Sequence, residues 1–260
     1  MTDPLEPAAS PEGGRGVSPR KLVWSYGGGT QSVAIAVLVS QGKLPRPDAV
    51  VIADTGREAS ETWDYLERTV QPLLGRTKVE VAPHSMSTVD LYAHNGDLLL
   101  PVFTTTGKMP TLCSNEWKRR VVRRWLRKHG YDSVQLWLGI SMDEVERAKP
   151  SDVKWIEHHY PLLFDVPLRR YECRQIVLDA GLPEPPRSSC WMCPLRSNVE
   201  WRDLRERAPT DWARAVALDE SIRAKDDNVF LHRSSGPLAT ANLESTEKLD
   251  LFCESGYCMT

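Results

Sequence analysis

The sequence has almost no net charge: 33 Lys and Arg against 35 Asp and Glu leave a formal −2. No global field therefore draws the chain to nucleic acid or to a membrane surface. It has no uninterrupted apolar run near the ~20 residues that span a bilayer. The opening MTDPLEPAASPEGGRGVSPR carries acids where a secretory leader would carry bases, and it has no apolar centre. These absences predict a cytoplasmic protein without membrane contact, whose residues 1–19 form a Pro-, Gly- and Ser-rich disordered tail. Internal repeats are lacking too. In a reducing compartment the six cysteines do not suit a disulfide framework, which leaves metal binding or catalysis.

What is present suits one large domain or a domain with a small appendage: 260 residues, 41% hydrophobic and 26% charged. Apolar runs at residues 22–25, 48–56 (DAVVIADTG), 78–82 and 133–140 read as buried strands. Between them lie helical spacings over residues 30–41 and 60–74. Strands without clean alternation, separated by helices, predict an α/β fold with a parallel, Rossmann-like sheet covered on both faces. After Pro150 the texture becomes loop-rich, with helical patterns at residues 169–180 and 199–225, the second broken near Pro209. The predicted division is a nucleotide-binding core over residues 20–165 and a helical, cysteine-bearing region over 166–260. His158 and His159 are read as loop residues without a role.

The stretch KLVWSYGGGTQS (21–32) places Gly27, Gly28 and Gly29 between the first strand and first helix, where α/β proteins bind phosphates on bare amides. No lysine occupies the loop, which excludes a Walker motif. Gly27-x-Gly29-x-x-Ser32 nearly matches a dinucleotide fingerprint, and Asp54 ends the second strand where a ribose-binding acid would sit; Ser32 in the third small position counts against it. The remaining reading has the hydroxyls of Ser25, Thr30 and Ser32 joining the main chain around a phosphate.

SYGGGTQS resembles the pyrophosphate-binding loop of the PP-loop (ATP pyrophosphatase) superfamily, and most closely its phosphoadenosine phosphosulfate (PAPS) reductase branch. Gly27 stands for that family's usual Ser, and Gln31 for its usual Asp, a carboxylate that could help place Mg2+ with the nucleotide. DTGREASETWDYL (54–66) is similar to the family's second-strand motif, LCSNEWK (112–118) to its cysteine-then-lysine segment, GISMDEVER (139–147) to its fourth-strand motif, and CWMCP (190–194) to its later Cys-x-x-Cys. The resemblance implies an adenine nucleotide, ATP or adenylyl sulfate/PAPS, held by Ser25, Tyr26, Gly27, Gly28, Gly29, Thr30, Gln31, Ser32, Asp54, Thr55, Gly56, Gly139 and Arg147, with Lys118 in a catalytic role.

Cys190 and Cys193 place two thiolates on one tight loop, a geometry used for zinc or an iron–sulfur cluster. By the same resemblance, Cys113 with Cys190 and Cys193 implies a [4Fe–4S] cluster, with zinc as the alternative. The fourth ligand would come from Cys258 or Cys253 in LFCESGYCMT. Cys258 doubles as a candidate nucleophile, because reductases of this family end in a cysteine-bearing tail. Cys173, inside a helical pattern, reads as a buried small hydrophobe.

KRRVVRRWLRKHG (118–130) sets Val121, Val122, Trp125 and Leu126 on one face and crowds cations on the rest. It reads either as a solvated amphipathic helix or as a basic helix (118–128) for a nucleic-acid backbone. Two enzyme readings follow: reduction at the sulfur of adenylyl sulfate, which implies an electron donor, or ATP-dependent sulfur transfer to DNA or tRNA. A non-catalytic nucleotide-binding module with structural zinc is the third.

Overall fold

The computed structural model describes residues 20–84, 91–93 and 95–244. Five strands form one parallel sheet: β1 (Lys21–Ser25), β2 (Ala49–Asp54), β3 (Val79–Pro83), β6 (Val134–Leu138) and β7 (Ile156–His159), in the order β3-β2-β1-β6-β7. A short antiparallel pair, β4 (Phe103–Thr104) and β5 (Gly107–Lys108), stands apart from it. The helices are α1 (Thr30–Ser40), α2 (Ser60–Tyr65), α3 (Gln71–Leu74), α4 (Arg120–Lys128), α5 (Pro161–Phe164), α6 (Arg170–Asp179), α7 (Asn198–Arg207) and α8 (Pro209–Arg223). The expected α/β architecture with a helical C-terminal part is therefore present.

The apolar runs work because both sheet faces are covered. Trp24, Val50, Ile52 and Trp137 point into a cluster with α1, which is buried on every side, and with Cys173 and Val177 of α6. Their neighbours Val23, Val51, Leu136 and Leu138 point the other way, onto Val121, Val122, Trp125 and Leu126 of α4. Alternate residues thus feed opposite layers, so neither β1 nor β2 shows a polar face in sequence. A separate apolar cluster joins residues 98–102, Trp117, Trp191 and Met192 to Trp201, Leu204, Ala215 and Ile222 of α7 and α8. Asp219, 1% exposed, organises the chain beyond α8 by accepting the Leu231 and Leu238 amides at 2.9 and 3.0 Å and the Arg223 Nε at 2.9 Å.

Two segments differ from the sequence reading. The helix expected over residues 60–74 is interrupted by a π turn at Leu66–Val70. His158 and His159 do not sit in a loop: they end β7, the edge strand paired to β6. An edge strand pairs on one side only, and here Glu157, His158 and His159 separate Ile156 from Tyr160, so neither an apolar run nor an alternation announces it.

Candidate functional site

In open α/β sheets, ligands bind beyond the carboxyl ends of the strands where strand order reverses. Here the chain runs outward from β1 to β2 and β3 on one side, then returns to β6 and β7 on the other. The crevice between the ends of β1 and β6 is that point, and the glycine loop after β1 and Gly139 after β6 flank it.

The loop is built for a close approach. Gly28 lies in the left-handed region (φ +78), and a Cβ there would stand 2.8 Å from Thr62 Cγ2. The Gly27 amide donates to Ser32 Oγ at 2.9 Å, and the Ser188 hydroxyl donates to the Gly27 carbonyl. Gly29 is the N-cap of α1 and supplies no side-chain cap. The first-turn amides of an eleven-residue helix, with its dipole behind them, are therefore left for a ligand.

Two cavities meet at this loop. One, of about 80 Å³, is lined by Gly27, Gly29, Thr30, Gln31, Ser32 and Gly139 together with Lys118, Glu144, Arg147, Arg170, Arg187 and Ser188. Its cations arrive from four different segments and give it the character of an anion site. The other, of about 240 Å³, has an apolar wall of Ile52, Ala53, Val122, Leu136 and Leu138, polar points at Ser25, Tyr26, His158 and Tyr160, and a charged side of Glu58, Lys118, Arg119, Arg123, Arg147 and Lys149. Gly27, Lys118, Leu138 and Arg147 line both. A chamber with one apolar wall and one charged side, joined to a smaller cationic chamber through Lys118 and Arg147, suits a nucleoside attached to phosphates.

Two ion pairs in the crevice are buried, and a third is half-buried. Lys118 Nζ lies 3.0 Å from Glu58 Oε1, and Arg147 Nη1 lies 3.1 Å from Glu144 Oε2; Arg187 pairs with Glu200. Glu144 also accepts the Gln31 side-chain amide at 3.1 Å. Burial pushes its carboxyl up to about 7, against the pull of the Arg147 and Arg170 guanidiniums. His158 shares Nδ1 with the Lys149 carbonyl at 2.9 Å, and burial lowers its pKa. The buried Tyr26 hydroxyl is held protonated by desolvation.

Asp54, Thr55 and Gly56 line neither chamber. Asp54 Oδ1 accepts the Gly56 amide at 2.7 Å, fixing a turn that aims the next residues at the cysteine loop. Glu58 forms an antiparallel bridge with Cys190, Trp191 N donates to the Arg57 carbonyl at 2.9 Å, and Thr55 Oγ1 stands 3.6 Å from Cys190 Sγ. Cys193 closes the tight turn through its amide, 3.0 Å from the Cys190 carbonyl. The structure thus brings the second-strand motif, the Lys118 segment and the Cys-x-x-Cys loop to one rim of the crevice.

An iron–sulfur cluster of the expected kind needs four thiolates. Among the described residues no three of His, Cys, Asp or Glu converge on a point that could hold a metal ion. Cys113 packs against the same apolar cluster as Cys190 but from a separate segment; Cys253 and Cys258 lie outside the described residues. Among the described residues alone the donors do not complete a cluster or a zinc site, and the tail cysteines expected to supply the fourth ligand lie outside them. Cys173 is fully buried in α6, and burial pushes its thiol up to about 12, which makes it inert packing.

The basic helix has partners within the fold. Arg119 and Arg123 both face Asp152, Arg120 pairs with Glu116 at 2.8 Å, and Arg127 pairs with Asp132 at 3.0 Å while stacking 3.8 Å over the Trp155 ring. Sequence reasoning missed Glu58, Glu144, Arg170, Arg187, Ser188 and His158. Glu58 and Glu144 lay within motifs already singled out, and Arg187 and Ser188 lie three and two residues before Cys190; Arg170 and His158 carried no local signal.

No protein-family model and no curated protein matches the sequence. Among solved structures the chain is similar to a phosphoadenylyl-sulfate (PAPS) reductase from Candida auris in a phosphate complex, with a TM-score of 0.46 and 11% identity over 67% of this chain and 83% of that one. It is also similar to the U34-tRNA thiolase NcsA from Methanococcus maripaludis with its [4Fe-4S] cluster, with a TM-score of 0.43 and 14% identity over 92% of this chain and 80% of that one.

Proposed function

We propose that this chain is an adenine-nucleotide-dependent enzyme of the PP-loop kind that performs sulfur chemistry at the Cys190–Cys193 loop. One observation carries the reading: the larger and the cationic chambers join at the strand-order reversal, and the cysteine loop is hydrogen-bonded to the segment leaving β2 at their rim. Adenosine occupies the larger chamber and its α-phosphate the glycine cradle. Preorganised first-turn amides, Lys118 and Arg147 then stabilise the negative charge that grows on that phosphate as a bond to it breaks.

Of the two enzyme readings, reduction of an adenylyl sulfate suits the molecule better. Transfer to nucleic acid would call on the basic segment 118–128, where Arg119, Arg120, Arg123 and Arg127 face carboxylates and Arg124 and Lys128 are exposed; none of these cations lines the smaller chamber at the glycine cradle. In the reductive step a Cys190 thiolate attacks the sulfate sulfur, an S–S bond forms, the S–O bond to phosphate breaks, and AMP leaves with the electron pair. Attack by a second thiol on Cys190 Sγ releases sulfite and leaves a disulfide, which an external dithiol then reduces. A tail cysteine, Cys258, is the alternative attacking thiol in this scheme.

The test is anaerobic purification of the full chain, metal and absorbance analysis, and turnover with adenylyl sulfate, its 3′-phosphate and ATP. The reading expects AMP or its 3′-phosphate derivative together with sulfite, lost in Cys190→Ser. Release of pyrophosphate from ATP without sulfite would replace it with the transfer reading. A brown protein carrying iron would place a cluster among these cysteines, with ligands from beyond the described residues.

A further inference from the structure

Glu144 is an acid in the wrong place for an anion site. It is 2% exposed and lines the cationic chamber beside the first turn of α1. One oxygen, Oε2, is occupied by the Gln31 side-chain amide and the Arg147 guanidinium, each at 3.1 Å. The other, Oε1, is buried and has no hydrogen-bond partner. As a carboxylate, Glu144 would set a negative charge against any phosphate entering the chamber it lines. As a carboxylic acid, its Oε1 becomes a donor, while Oε2 keeps both of its existing bonds as an acceptor. Gln31 is central to this arrangement, because its amide reaches across from α1 to fix which oxygen remains.

We propose that Glu144 recognises the nucleotide's phosphate as a neutral acid: it takes up one proton from solvent as the nucleotide binds and donates a hydrogen bond from Oε1 to a non-bridging phosphate oxygen. The proposal rests on the reading that this chamber holds phosphate. The groups facing Glu144 are Arg147 and Asp143 from its own turn, Arg170 and Cys173 from α6, and Gln31 from α1. Lys118 and Arg187 lie across the same chamber. Burial holds the carboxyl near neutrality in the empty site, so the proton is available at physiological pH and an arriving anion raises its hold further.

The test is calorimetric titration of the full chain with adenosine 5′-phosphosulfate, whose own charge is constant across the range used. Between about pH 6 and about pH 8.5 the wild-type affinity is expected to fall about thirtyfold, and buffers of different ionisation enthalpy should report uptake of close to one proton near about pH 8. Glu144→Gln, the permanent donor, should bind with an affinity that is flat across this range and with no proton uptake. A flat wild-type profile, or Glu144→Gln as steep as wild type, overturns the proposal and leaves the nucleotide assignment standing. Binding that requires Mg2+ and disappears in Glu144→Gln would instead make the residue a cation ligand. If no nucleotide binds at any pH, both readings fail. Should Glu144→Gln not fold, the proton count on the wild-type chain still decides.

Discussion

Alanine at Gly28 and alanine at Gly29 differ by one residue in sequence and should differ sharply in consequence. At Gly28 the backbone is left-handed, which costs a side chain about 1–2 kcal/mol. The added Cβ would also stand 2.8 Å from Thr62 Cγ2 and 3.1 Å from Ser188 Oγ. Thr62 is 1% exposed, and Ser188 is tied to the Gly27 carbonyl, so neither yields cheaply. Overpacking of this kind adds about 1–3 kcal/mol, for a total near 3 kcal/mol. At Gly29 the backbone is extended, and the nearest atom to a new Cβ is Ser188 Cβ at 3.5 Å, an ordinary contact. An N-cap Gly→Ala change should cost no more than about 1 kcal/mol. Urea unfolding of the pair, followed by titration with adenosine 5′-phosphosulfate, separates them. Gly28→Ala should lose both stability and more than about tenfold in affinity, because the loop must shift to clear Thr62. Equal behaviour of the two variants, or a wild-type midpoint for Gly28→Ala, would refute the geometry assigned to the loop.

Further perturbations follow from the buried charges. The Glu144 carboxyl is raised from 4.5 to about 7 on folding, so the native state holds its proton longer than the unfolded chain and stability falls as pH rises between those values. Glu144→Gln should remove this fall, leaving thermal stability flatter than wild type between about pH 4.5 and about pH 7. His232 has the opposite sign. Burial, aided by Arg233, depresses it from 6.5 to about 4, and Ser234 N donates to its Nδ1 at 3.2 Å. Its contribution is present above about pH 6.5 and is lost as pH falls toward about pH 4, amounting to about 3 kcal/mol, and His232→Gln should flatten that limb of the stability curve. Removing the Lys118 charge strands buried Glu58, so Lys118→Met should cost about 3–5 kcal/mol in urea melts. Lys118→Met with Glu58→Gln should recover most of that stability without recovering nucleotide affinity; recovery of both would remove Lys118 from the site.

Local pattern made much of this molecule legible. β1, α1 and β2 are apolar on every side because two helical layers cover the sheet, and a continuous run is the signature of that burial. The glycine loop was readable for a related reason: three bare residues between a strand and a helix have few uses beyond a close approach. β7 was not readable, since an edge strand ending in His158 and His159 and followed by Pro161 lacks both the apolar run and strict alternation. The convergence of the acids with the cations in the crevice was hidden for a topological reason. Arg170 begins the helix that packs on α1, Arg187 precedes the cysteine loop, and Glu144 follows β6. Only the crossovers that build the sheet bring these segments to one point. The charge matching along α4 was equally invisible, because Asp152 lies far along the chain from Arg119 and Arg123.

The most direct test of the nucleotide site is photo-crosslinking of the full chain with an azido-adenosine triphosphate, followed by peptide mapping. Label is expected on the peptides carrying Val122, Leu136 or His158, the walls of the larger chamber, and excess adenosine 5′-phosphosulfate should displace it. Label confined to the α7–α8 helices, or label that the phosphosulfate does not compete away, would contradict the account.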